Sequence, residues 1–149
     1  MSGAACLGLG LAALAAVAPP PVARAEPLMV RIAELEIDPA QLDAYKASLV
    51  EEQEASVRLE PGVIMLHSVA IGDAPHQIRL LEVYASRAAY EAHLKSPHFV
   101  KYKTATQTMV RSLRLVETQP ILLCAKSAGL EGGPVTCLDG TTDALDRRR

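Results

Sequence analysis

The sequence predicts an α+β domain of order β-α-β-β-α-β, a split βαβ unit with one antiparallel sheet and two helices on one face. Three observations lead there. Apolar, β-branched runs alternate with stretches of helical periodicity, breaks rich in proline and glycine separate them, and 149 residues suffice for one domain rather than two. Half of the residues are hydrophobic and 21% are charged, so the chain fills a core and is not a disordered tail protein.

The elements follow in order. Residues 28–36, Leu-Met-Val-Arg-Ile-Ala-Glu-Leu-Glu, read as a first strand. Asp38-Pro39 opens a helix, with Asp38 as N-cap, Pro39 at the first helical position and Gln41 placed to close a capping box. Leu42, Tyr45 and Leu49 recur at helical spacing, charges fill Glu51 to Glu54, and the helix runs to the Pro61-Gly62 stop. Val63 to Ile71 forms a second strand, Asp73 to His76 a loop of four or five residues containing Pro75, and Gln77 to Tyr84 a third strand. Ser86 caps a short helix carrying Tyr90, His93 and Leu94. Ser96-Pro97 interrupts it, because a residue before proline is driven out of helical geometry. A second helical segment from Pro97 carries Phe99, Tyr102, Thr106 and Met109; residues 112–118 make the last strand, and the remainder is a mostly irregular tail.

The second strand is apolar in both registers: Val63, Met65 and Val69 share one, Ile64, Leu66 and Ala70 the other. A sheet with one wet face alternates apolar with polar. A second sheet is therefore expected over the helix-free face, most simply that of an identical subunit, enclosing a cavity between the sheets.

Residues 1–25 read as a signal peptide. Leu7 to Ala18 is an uninterrupted apolar run, Pro19-Pro20-Pro21 follows, and Ala23-Arg24-Ala25 fits a small-x-small cleavage site before Glu26. The run is shorter than the ~20 residues of a membrane-spanning helix, so no stable insertion is expected after cleavage, and the mature protein is placed in the periplasm or outside the cell. The domain then occupies 26–121 and the tail 122–149. Of three cysteines, Cys6 leaves with the leader; Cys124 and Cys137 form an even pair that suggests a disulfide. A net charge of -2 gives nucleic acid no electrostatic reason to bind.

No phosphate loop, dinucleotide fingerprint, His-Glu-x-x-His or Gly-x-Ser-x-Gly occurs. What remains is a set of polar side chains in apolar registers. His67 shares a register with Met65 and Val69, as a core histidine or a pocket residue. Glu82, between Leu80 and Tyr84, is partly buried and pairs with Arg31 or Lys103, structurally or catalytically. His93 and His98 flank the Ser96-Pro97 break. Their spacing is not the i, i+4 pattern that puts two imidazoles on one metal, and no metal is assigned. As neutral imidazoles, either could accept a proton from a weakly acidic hydroxyl. His76 falls in the loop and reads as surface.

The segment Glu82-Val83-Tyr84, then Ser86-Arg87-Ala88-Ala89-Tyr90-Glu91-Ala92-His93-Leu94-Lys95-Ser96-Pro97-His98-Phe99, with Glu60-Pro61-Gly62 before it, resembles the antibiotic biosynthesis monooxygenase family, in particular its quinol-monooxygenase-like branch. The resemblance covers about residues 28–121. It implies a ferredoxin-like protomer forming a dimeric α/β barrel, and an enzyme that oxygenates a quinol or related phenol with dioxygen and without a cofactor. It implies His93 or His98 as the base, with Glu82, Tyr84 and Tyr102 around the substrate; His67 is added from register alone. Tyr84 stands where the family usually has tryptophan, and the absence of any tryptophan disfavours the haem-degrading relatives. Two other functions fit the same pocket: a non-catalytic barrel that binds a small hydrophobic ligand or stabilises an assembly, and an isomerase of enolisable substrates.

Overall fold

The computed structural model describes residues 26–126, 135–138 and 140. Strand β1 (Met29–Ile37) leads through a 3-10 turn (Pro39–Gln41) into helix α1 (Leu42–Leu59), followed by β2 (Val63–Ile71), β3 (Ala74–Tyr84), α2 (Arg87–His93), α3 (Pro97–Thr106), β4 (Val110–Thr118), β5 (Leu123–Lys126) and β6 (Val135–Leu138). The main sheet runs β2-β3-β1-β4 with every pairing antiparallel. Each helical crossover skips one strand, so the chain has the ferredoxin-like α+β arrangement, with the helices packed over one face of the sheet.

Alternation along β1 decides what each face carries. Ala33, Leu35 and Ile37 point to the helices and meet Ile78 and Leu80 of β3 with Tyr45 and Leu49 of α1 in one buried cluster. In the same register Arg31 pairs with Glu82, and Met29 with Tyr84. The period of two therefore delivers polar groups beneath the helices as the strands run past the core.

Several local expectations change. Asp38 accepts from Ala40 N at 3.0 Å, but Gln41 does not complete a capping box; its Nε2 donates to Thr108 O, and the Asp38 N–H is taken by Met109 O at 2.8 Å. The connection after β2 is the two-residue turn Gly72-Asp73, shorter than expected. Pro75 sits inside β3, where the pairing with β2 slips between Ala70 and Ile71, so its missing N–H breaks no ladder bond. Gly62 is required by packing: a Cβ there would lie 2.5 Å from Ala89 Cβ, so only glycine lets the start of β2 touch α2.

The tail is not irregular where it is described. β5 and β6 pair as a hairpin, with Cys124 opposite Cys137 and the two sulfurs bonded. Leu138, with Leu123, packs on Leu28, Val30 and Val83 of the helix-free face, and Leu28 N donates to Gly140 O at 3.0 Å. Part of the apolar strand surface that pointed to a second subunit is thus covered by the chain's own C-terminal hairpin. The leader read in residues 1–25, and the end Arg147-Arg148-Arg149, lie outside the described residues. Among the described residues no helix is long and apolar enough to cross a membrane.

Candidate active site

A cavity of about 470 Å³ lies between the sheet and the helices. This corrects the expected position, between the helix-free faces of two sheets. Ala33, Leu35, Leu49, Leu66 and Leu80 give it apolar walls, and its volume suits a small organic molecule. Leu113 and Leu115 of β4 form its outer wall and remain 43% and 47% exposed, because no helix covers that edge strand.

Glu82 and Tyr84 line the cavity as expected from their register. Arg31, buried under Tyr90 with its guanidinium carbon 4.1 Å from the ring centroid, donates to Glu82 Oε2 from Nη2 at 3.2 Å. It is therefore Arg31 that pairs with Glu82, while Lys103 stands at the wall. The Tyr84 hydroxyl donates to the same Glu82 oxygen at 3.4 Å. Burial, and then the neighbouring Glu82 charge, push the Tyr84 phenol up, so it stays neutral and acts as a hydrogen-bond group rather than a base. Tyr102 also lines the cavity and shares a 2.6 Å hydroxyl contact with Tyr45; burial raises both phenols.

His93 is the last residue of α2 and is buried against the cavity, its ring packed between Tyr84 and Phe99. Nδ1 lies 3.0 Å from Glu60 Oε1, and Nε2 lies 3.7 Å from Glu52 Oε1. Burial works to raise the Glu60 carboxyl, but hydrogen bonds from His93 and His98 outweigh it and hold it below the ordinary carboxylate range. An ionised Glu60 only accepts, so Nδ1 carries a proton, and in the neutral ring Nε2 is then the acceptor. Glu52 is the reverse case: burial raises its carboxyl, although Ser56 Oγ donates to it at 2.6 Å.

His98, second residue of α3, does not line this cavity; its Nε2 bonds Glu60 Oε1 beside His93, and its side chain is 18% exposed. Glu60, His93 and His98 each offer one donor atom, all within 4.8 Å of one another, and are the residues that could hold a metal ion. His67 is not part of the site: it is exposed, in the β2 register that faces away from the helices, where it pairs with Leu81.

Sequence reasoning missed Glu52, reading Glu51 to Glu54 only as a charged stretch of the helix. The signal was available. Tyr45, Leu49, Glu52 and Ser56 are the four buried residues of α1, and their spacing is a single helical stripe.

A ferredoxin-like α+β domain thus carries, under its helices, an apolar-walled pocket lined by tyrosines, a histidine and carboxylates, with dimensions that suit a small molecule. The model of the antibiotic biosynthesis monooxygenase family matches residues 28–105, and the chain belongs to that family. A candidate antibiotic biosynthesis monooxygenase from Bacteroides thetaiotaomicron is 44% identical, superposes with a TM-score of 0.63, and aligns over 70% of this chain and 95% of its own. A candidate monooxygenase from Lactobacillus acidophilus is 27% identical, with a TM-score of 0.58, over 62% of this chain and 45% of its own. A candidate from Nitrosomonas europaea, 21% identical over 62% of this chain and 89% of its own with a TM-score of 0.59, shares the fold. No curated protein sequence matches the chain.

Proposed function

We propose that this protein is a cofactor-independent monooxygenase that oxidises a quinol or related phenol in the cavity beneath its helices. The observation that carries the reading is His93, buried at the wall of an apolar cavity with Glu60 fixing Nδ1 and Nε2 left as acceptor. The ring hydroxyl gives its proton to Nε2. The resulting phenolate passes one electron to dioxygen, the two radicals join as a ring-carbon peroxide that takes the proton back from Nε2, and loss of water from this hydroperoxide leaves the quinone. One oxygen atom enters the product and the other leaves as water, so the substrate supplies both electrons. The protein contributes a base, a dry container and orientation, with Tyr84 and Tyr102 directing the hydroxyls.

The same reading takes the protein as an exported homodimer. The Cys124–Cys137 bridge and the apolar run before Glu26 support an oxidising compartment. Val69, 59% exposed on the helix-free face beyond the tail hairpin, supports pairing with a second copy.

The test is oxygen uptake with a dihydroxynaphthalene above the enzyme-free autoxidation rate, and its loss in His93→Ala by about 100-fold or more. Binding of the naphthol with no uptake would overturn the oxygenase in favour of a ligand-binding barrel. Product formed under nitrogen would overturn it in favour of an isomerase.

A further inference from the structure

We propose that Glu60, His93 and His98 form a binding site for one divalent transition-metal ion of the zinc class. The spacing of the two histidines along the chain argues against such a site; the fold supplies what the spacing lacks. Pro61 ends α1 so that Glu60 leaves the helix extended, and one oxygen of its carboxylate meets both imidazoles. The Ser96-Pro97 break turns His98 back on His93, and the three donor atoms converge within 4.8 Å.

The donor set selects the ion. Two imidazole nitrogens and one carboxylate oxygen are the three-ligand complement of an open zinc site, whereas magnesium and calcium need mostly oxygen. Donors bound tetrahedrally at ~2.0–2.1 Å stand about 3.4 Å apart. Glu60 Oε1 lies 3.0 Å from His93 Nδ1 and 2.5 Å from His98 Nε2, so the carboxylate withdraws by up to about 1 Å to admit the ion between the donors.

The surroundings are also those of a metal site. A ligating histidine characteristically turns its second nitrogen to a carboxylate that orients it. Here His93 Nε2 faces Glu52 Oε1 at 3.7 Å, and Ser56 Oγ holds that carboxylate at 2.6 Å. His93 is buried, while the His98 and Glu60 side chains are 18% and 14% exposed, so the ion enters from the His98 side rather than through the cavity.

Ligation at Nδ1 moves the His93 ring proton to Nε2. If the oxygenase reading holds, the loaded protein therefore has no free His93 nitrogen to take the substrate's proton, and the ion acts as an inhibitor; this consequence alone rests on that reading.

Zinc chloride titrated calorimetrically into the chelator-treated full chain, with no substrate present, is expected to show one saturable site and a melting temperature that rises with zinc concentration. Glu60→Gln and His98→Ala should each weaken binding at least tenfold, while His67→Ala on the opposite sheet face binds as the wild type. Should either site variant misfold, nitrogen-15 spectra of the wild-type imidazoles decide: zinc should displace the His93 Nδ1 and His98 Nε2 resonances. Absence of saturable binding, wild-type affinity in both folded site variants, or shifts confined to His67 and His76 would overturn the proposal. Because the titration contains no substrate, its failure is separate from failure of the oxygenase.

Discussion

Glu60 Oε1 lies 3.0 Å from His93 Nδ1, joining the residue that caps the end of α1 to the last residue of α2. Two helix ends, 33 residues apart in the chain, thereby fix the orientation of one buried imidazole ring. If Glu60 acts by holding that tautomer, Glu60→Gln should lower kcat at least tenfold and leave KM within about twofold, since the substituted amide no longer demands a proton on Nδ1. Oxygen-electrode kinetics check the split; a change in KM alone would reduce Glu60 to packing.

Tyr45→Phe removes one partner of the 2.6 Å contact and leaves the part-buried Tyr102 hydroxyl without it. The expected cost is about 1–3 kcal/mol, read as a lower denaturant midpoint at unchanged slope.

Gly62→Ala forces a methyl to within 2.5 Å of Ala89 Cβ. We expect a loss of roughly 1–3 kcal/mol from overpacking. The double variant with Ala89→Gly should recover much of it, and a double-mutant cycle measures the coupling.

Replacing Cys124 and Cys137 by serine together removes a cross-link between residues 13 apart. On the chain-entropy account the unbridged tail loses about 3 kcal/mol of constraint. Hydrogen exchange at the Leu138 amide should accelerate, and dye binding should report newly bared Val30 and Val83, which Leu138 covers.

Glu34 is held below the ordinary carboxylate range, first by its hydrogen bond from Arg114 Nε at 2.7 Å. A depressed folded-state value means that its contribution is present above the unfolded carboxylate range and fades as pH falls through the folded one. The pair is exposed to solvent, so the effect is small and salt-sensitive. An acid titration of stability should show it at low salt and lose it in Glu34→Gln.

The strand and helix order was legible because it is written in short-range chemistry. Asp38-Pro39, Pro61-Gly62, Ser86 and Ser96-Pro97 mark their boundaries by caps and proline sterics that depend on near neighbours alone. Glu82 was legible from its strand register, whereas Tyr84, His93 and Tyr102 were legible through the resemblance to the family; all four line the cavity. His67 shows where register stops helping: both faces of β2 are apolar, and the sequence does not say which one the helices cover. The position of the cavity and the meeting of Glu60 with His98 depend on how α1 lies against α3, a tertiary angle. The β5–β6 hairpin escaped notice because four-residue strands leave no periodicity to count.

Gly62 against Ala89 leaves no gap between the start of β2 and α2, two residues from Glu60 and four from His93. The rear of the chamber is thus bolted: α2 cannot swing aside without dragging the paired carboxylate and imidazole with it. Traffic is left to the far flank, where Leu113 and Leu115 stand half in water along an unaccompanied edge strand.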